Sequence, residues 1–241
     1  MALPFDNIIR KYQHVLHGVI DFDPAKDALL PLDFTENNKD LTAAIIEDIN
    51  AFCDYINRQL QTAKLSSGKQ GRQLGIGGYA EHRTIYNRSR VFDGAYPGEE
   101  PRRLHLGIDI WGPAGTPVYA CMGGMVHSFA FNDQYGDYGA TLILLHQLDG
   151  LPFYSLYGHM SLSDIKTLSA GQYVTIGQTI GHFGEPHENG HWPPHLHFQL
   201  ILDMELKEGD YPGVCKYSEQ EKYLANCPDP DLILQLNRYI K

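Results

Sequence analysis

His105-Leu-Gly-Ile-Asp109, answered far downstream by His195-Leu-His197, is the stretch on which the fold turns. In the first run His105, Gly107 and Asp109 occupy alternate positions, while Leu104, Leu106, Ile108 and Ile110 fill the other parity. Successive side chains of a strand face opposite ways, so this spacing predicts His105 and Asp109 on one face and the aliphatics on the other. A helix also brings residues four apart together. Here Gly107 in mid-run and Gly112-Pro113 at its end favour a strand closed by a turn. The second run alternates likewise: His195, His197, Gln199 and Ile201 on one face, Leu196, Phe198, Leu200 and Leu202 on the other. Pro193-Pro194 just ahead of it excludes a helix interior. Two strands of one sheet, both offering polar groups on the same face, would place a metal site on rigid elements. Two histidines and one carboxylate are usual ligands for a zinc ion that keeps one position open, whereas a structural zinc is closed by a fourth protein ligand, often cysteine. No such fourth ligand accompanies these runs, which points to hydrolytic chemistry.

Outward from the two runs, alternating strand-like segments recur over residues 116–121, 138–146, 153–159 and 172–176, separated by Gly-rich turns. The fold class expected is mainly β, a folded antiparallel β-sheet or β-sandwich core. Ahead of it, Leu41, Ile45, Ile49, Phe52, Ile56 and Leu60 recur every three to four residues, predicting an N-terminal amphipathic helix with Asn38 or Asp40 as N-cap. Its apolar stripe is expected to pack on the outside of the sheet, as a brace rather than a plug over the cleft. The stretch before Asp40 reads as irregular, and Ser66-Ser-Gly-Lys-Gln-Gly71 marks a boundary. After Asp203 the chain predicts a loop over residues 210–215 and short helices over 219–226 and 231–239. The organisation expected is therefore an N-terminal extension (1–68), a catalytic domain (69–205) and a helical C-terminal tail (206–241).

The 241 residues suffice for one medium domain with additions or for two small ones. A net charge of −10 argues against nucleic acid and anionic membranes as partners. No apolar run is long enough to span a bilayer. The first residues lack the basic start, apolar core and cleavage site of a secretory signal, and Cys53, Cys121, Cys215 and Cys227 show no CxxC pairing. A Cys215–Cys227 disulfide is geometrically possible but unsupported. A cytoplasmic chain is expected.

At several further stretches the chain resembles the LytM/lysostaphin-type zinc metallopeptidases, family M23. These are Gly115-Thr-Pro-Val-Tyr-Ala120, Gly123-Gly-Met-Val126, Leu156-Tyr-Gly-His-Met-Ser161 and His195-Leu-His-Phe198, which follow His105-Leu-Gly-Ile-Asp109 in the family's order. The resemblance runs from about Arg102 to Leu202. It implies a β-fold peptidase core, Zn2+ held by His105, Asp109 and His197, and a catalytic pair, His159 and His195. His195 would be the base and His159 would stabilise developing charge or pass on a proton, with the two roles exchangeable. An imidazole suits either role, since its unperturbed pKa lies near working pH. The function expected is hydrolysis of an amide bond in a peptide or murein fragment. The alternatives are a zinc-binding but non-cleaving recognition module and a hydrolase of a small non-peptide amide. The second is prompted by the tail and Cys227-Pro-Asp-Pro-Asp231, which resemble peptidase-like domains fused to aminotransferases and small-molecule kinases. A cupin site fails on spacing, because Glu205 lies too far along and no later histidine follows.

His127 and His146 read as structural. His187 and His191, in the loop ahead of His195, are candidates for touching substrate, and His82 and Tyr86 for roofing the cleft. The chain also departs from the family. Glycyl-glycine endopeptidases place a tyrosine six residues before the first zinc ligand, where Glu99 stands here, with Tyr96 or Tyr86 as spatial substitutes.

Overall fold

The computed structural model describes residues 5–240, and its main sheet begins well before the first histidine run. The stretch ahead of Asp40 is not irregular: it holds a helix, α1 (Phe5–Tyr12), and a strand, β1 (Ala28–Leu32). Asp27 sets the start of that strand. Its carboxylate accepts the backbone N–H groups of Asp23 and Arg72 and so ties the incoming turn to the chain that becomes the neighbouring strand. A parallel strand pair needs a long crossover. Here the crossover is helical, α2 (Ala43–Glu47) and α3 (Ile49–Ser67), and it leads into β2 (Gln73–Gly77), parallel to β1. The single helix expected from Leu41 to Leu60 is therefore broken. Neither Asn38 nor Asp40 caps it: Thr42 stands at the N-cap of α2, and α3 is capped by Asp48, which accepts from the N–H groups of Asn50 (2.8 Å) and Ala51 (3.1 Å). A side chain that satisfies two orphan N–H groups of a new first turn competes with helix running through it.

The continuous strand expected over residues 104–110 is also broken, into β3 (Leu104–His105) and β4 (Ile108–Trp111). There follow β5 (Pro117–Tyr119), β6 (Gly124–Asn132), β7 (Gly139–Leu148), β8 (Leu151–Met160), α4 (Leu162–Ile165), β9 (Tyr173–Val174), β10 (Thr179–His182) and β11 (His195–Ile201). The tail adds β12 (Val214–Cys215), α5 (Gln220–Asn226) and α6 (Asp231–Leu234). The main sheet runs β1-β2-β4-β11-β8-β7-β6-β9 and is antiparallel except at β1/β2. Two small pairs, β5/β10 and β3/β12, lie outside it.

One face of the sheet buries Ile108, Ile110, Leu196, Phe198 and Leu200 in the largest core, with Phe5 and Ile9 of α1 and Leu232 to Leu234 of α6. The other face carries Asp109, His195 and His197, and two smaller cores flank it. One packs Phe52, Tyr55 and Ile56 of α3 on Phe34, Trp111 and Trp192. The other packs Leu104, Leu106 and Ile201 on Tyr211, Cys215 and Cys227. The aliphatics expected on a single face of the first run thus enter two cores, because β12 captures Leu104 and His105 into a separate pair. The first and last segments are both tied to the middle one, the first by β1 and the last by β12; residues 1–4 and 241 lie outside the described part. All four cysteines are free, so Cys215 and Cys227 form no disulfide. Among the described residues no helix is long and apolar enough to cross a membrane.

Candidate active site

Register brings the two runs together. In the β4/β11 ladder His197 stands directly opposite Asp109, and His195 opposite Trp111. His105 arrives from β3 instead, yet its Nε2 lies 3.0 Å from His197 Nδ1 and 3.2 Å from Asp109 Oδ1. His197 Nδ1 is in turn 3.0 Å from Asp109 Oδ1. These three residues form the group able to hold a metal ion among the described residues. Gly107, between two of them, lies against the His197 ring, where a Cβ would come within 2.5 Å of Cε1.

The hydrogen bonds on the far side of each ring decide what the triangle is for. His105 Nδ1 is 2.9 Å from the Gly78 carbonyl oxygen, and His197 Nε2 is 2.9 Å from Gln199 Oε1. Gln199 is itself oriented by donating its amide to the Pro212 carbonyl (3.1 Å). Each outer nitrogen faces an acceptor and must carry the ring proton. In neutral imidazoles the inner nitrogens are then lone pairs. Burial, followed by the field of Arg83, lowers the His105 pKa to about 4, so that ring is neutral near pH 7. Burial alone would raise the Asp109 carboxyl, but the electrostatic field of its neighbours, His105 and Arg83, outweighs it and holds the group well below its usual range. Two lone pairs and a carboxylate oxygen converge with no donor among them. The edges of a tetrahedral zinc site with ligands at about 2.0–2.1 Å measure about 3.4 Å, and the triangle here is slightly tighter. The donor set and its spacing fit a zinc ion.

His159 and His195 lie beside this triangle, 4.1 Å apart between ring centroids. His159, next to last in β8, has φ 62°, rare for a residue with a side chain. It is held there by donating its N–H to Tyr138 O (2.8 Å), and its carbonyl accepts from Gly184 N (2.9 Å). His159 Nδ1 donates to Asn189 O and His195 Nδ1 to Pro193 O, both at 2.8 Å, which leaves each Nε2 as an acceptor. Trp111 stacks on His195 at 3.9 Å and fixes its plane. Burial lowers His195 to about 4 and pushes His159 well below its usual value, so both rings are neutral at pH 7.

All four lining groups His159, His195, His197 and Asp109 open into one cleft of about 290 Å³. Tyr86, Phe92 and Trp192 wall one side, and Arg102, Asp137 and Asp210 bring charge to its lining. Tyr86 is thus where expected. His82 is not: it is exposed and packs on Tyr217, because its bridge to Leu104 turns it away. His187 and His191 are also exposed and outside the cleft lining, and His191 packs on Tyr135 instead. Their loop serves the site through Asn189 O and Trp192. Glu99 pairs with Lys216, and Tyr96 is exposed, so neither reaches the cleft. No residue of α3 lines it either; Phe52 backs Trp111 and Trp192, which is the position of a brace. His146 is bonded at both ring nitrogens, to Ser155 Oγ (2.6 Å) and Gly123 O (3.0 Å), as a structural histidine should be. Arg83, Tyr138 and Gln199 carry no motif in the sequence, and only their contacts reveal them. The parity of the second run put Gln199 on the site face, which was the one available signal.

Buried neutral histidines have a measurable consequence. His105, His146 and His195 are each lowered by burial to about 4, against about 6.5 in an unfolded chain. Between about pH 6.5 and pH 4 the unfolded state binds more protons, so stability falls as pH falls through that window, by about 2 kcal/mol per histidine at pH 5. Thermal unfolding of metal-free protein should show a midpoint well below its pH 7.5 value at pH 5. An unchanged midpoint would mean that the rings are charged in the fold.

Residues 103–208 match the family model described as Peptidase family M23. The chain is 29% identical over 147 residues to the L-Ala--D-Glu endopeptidase of Bacillus subtilis (strain 168), covering 59% of this chain and 41% of that protein. It is 34% identical over 110 residues to lysostaphin of Staphylococcus staphylolyticus, covering 46% of this chain and 21% of that protein. The solved catalytic domain of lysostaphin from Staphylococcus simulans overlays with a TM-score of 0.34 at 24% identity, covering 50% of this chain and 80% of that chain. The chain therefore spans less than half the length of the full-length relatives named here. His105, Asp109, His159, His195 and His197 all lie inside residues 103–208, the part of the chain that matches peptidase family M23.

Proposed function

We propose that this protein is a zinc metallopeptidase that hydrolyses an amide bond in a peptide or murein-derived substrate. The observation that carries the reading is the convergence of His105 Nε2, Asp109 Oδ1 and His197 Nδ1 at 3.0–3.2 Å, with the outer nitrogen of each ring turned to an oxygen acceptor. When bound, zinc supplies Lewis acidity, which acidifies water and polarises a substrate carbonyl. The remaining chemistry falls to His159 and His195. Each ring has its Nδ1 proton committed to a carbonyl and its Nε2 lone pair available, so either can accept a proton from the attacking water. With the centroids 4.1 Å apart, a charge on one ring disfavours a charge on the other. The pair therefore carries one proton at a time: it takes it from water and returns it to the leaving nitrogen. Tyr86, Phe92 and Trp192 line the cleft beside these groups and would orient the chain of the substrate.

The names of the relatives supply the first substrates to try, stem peptides containing an L-Ala–D-Glu bond and other murein fragments, beside ordinary peptides. Product mass spectrometry of zinc-loaded protein should find new fragments that vanish on chelation and reappear when zinc is restored. Full zinc occupancy without fragments from any pool would favour the recognition module instead. The four free thiols support a cytoplasmic setting, which would make soluble murein fragments the accessible form of that substrate. Fractionation of the native host would test the location.

A further inference from the structure

Arg83 lies ahead of the M23 match and outside the cleft lining, yet it touches a ligand of the metal centre. Its side chain is fully buried. The guanidinium grips two carboxylates: Nε donates to Glu81 Oε2 (2.6 Å) and Nη1 to Asp109 Oδ2 (2.5 Å). Nη1 also reaches the Tyr86 hydroxyl and Nη2 the Gly78 carbonyl, both at 3.4 Å. Placing such a group there is no obvious gain in stability. Buried ion pairs lose much of their attraction to desolvation, and apolar replacements are often at least as stable. The backbone also makes way for it, since a Cβ on Gly77 would lie 2.6 Å from Arg83 Nη2.

What the contact accomplishes is geometric. The two Asp109 oxygens are divided: Oδ1 faces His105 Nε2 and His197 Nδ1, while Oδ2 is occupied by Arg83. A carboxylate free to turn about its Cβ–Cγ bond would offer both oxygens or swing off the site. The planar fork of an arginine, anchored on Glu81, removes that freedom. Glu81 balances the guanidinium charge, so the pair orients Asp109 without adding net charge. Gly78, five residues ahead of Arg83, accepts the His105 Nδ1 proton, so one short segment steadies two of the three ligands.

We infer that Arg83, anchored by Glu81, is a positioning residue that holds Asp109 as a one-oxygen donor turned towards His105 and His197. The inference rests on the metal reading above. Its test compares the full chain with E81Q/R83M, which removes the pair without changing net charge, and with R83K, which keeps the charge but not the fork. Zinc affinity is measured by chelator competition, and coordination by the visible absorption of the cobalt(II)-substituted protein. The zinc dissociation constant should rise roughly 10- to 100-fold in E81Q/R83M and roughly 10-fold in R83K, the scale expected for a lost outer partner of a ligand. The cobalt bands should weaken in E81Q/R83M as Asp109 turns to offer both oxygens. Folded variants with affinities within about twofold of the parent and an unaltered cobalt spectrum would reduce Arg83 to a brace and overturn the inference. If E81Q/R83M does not fold, parent-like affinity and spectrum in R83K would overturn it equally. A parent chain that binds neither zinc nor cobalt would overturn the metal reading itself, whereas a parent that binds both while the variants match it overturns only the role of Arg83.

Discussion

Replacing His195 or His159 with alanine is expected to lower turnover roughly 10²- to 10⁴-fold while zinc stays bound, the range for loss of a positioned proton-transfer group. The retained metal follows from the geometry. Neither ring contributes to the converging triangle, and both have their Nδ1 proton tied to a backbone carbonyl. The loss of rate follows from the pair being one proton carrier, so that removing either ring leaves the other without its counterpart. For the same reason the double variant should be little worse than the poorer single one, because groups that act as a unit are strongly non-additive. His195→Ala has an added structural cost, since Trp111 loses its stacking partner at 3.9 Å. Steady-state kinetics with zinc stoichiometry determined on the same samples would check all of this. A rate within about tenfold of the parent in both single variants would remove the pair from the chemistry.

Replacing His197 with alanine has the opposite signature, with zinc lost and turnover lost with it. His197 Nδ1 makes two of the three edges of the triangle, and the remaining two donors cannot enclose an ion. The loss of affinity should exceed the roughly 10- to 100-fold that follows removal of an outer partner. Stability reports the same event independently of activity. A ligand that binds only the folded state at about a thousandfold its dissociation constant stabilises by about 4 kcal/mol. The parent should therefore melt at a higher temperature with zinc than with chelator, and His197→Ala should melt at one temperature in both. The difference has a local source as well. Without an ion, two lone pairs and a carboxylate oxygen face one another at 3.0–3.2 Å. A zinc-dependent shift that survives in His197→Ala would place the metal elsewhere in the molecule.

The chain by itself determined the strands that matter and the face they present. Alternation in the run from His195 to Ile201 put His195, His197 and Gln199 on one side, and the structure has them there, with Leu196, Phe198 and Leu200 in the core behind. That period is a local property, set by a backbone in which each side chain points opposite to the last. The clustering of His105, Asp109 and His197 was legible in the same way, as short motifs on rigid elements. Competition between distant segments was not legible. The first run breaks after His105 because Val214 and Cys215, more than a hundred residues later, pair with it. The predicted helix divides at Asp48 because a side chain there caps a new turn, and the irregular stretch yields β1 because Asp27 ties it to Arg72. Only the tertiary structure decided which loop histidines leave the cleft and which residues steady the ligands. Arg83 is 26 positions from Asp109, Tyr138 is 59 from His197, whose Nε2 its hydroxyl meets at 3.4 Å, and Asn189 is 30 from His159. Such contacts leave no periodic trace in a sequence, because they are selected by the packing of several elements at once and by the demand that every buried proton find an acceptor.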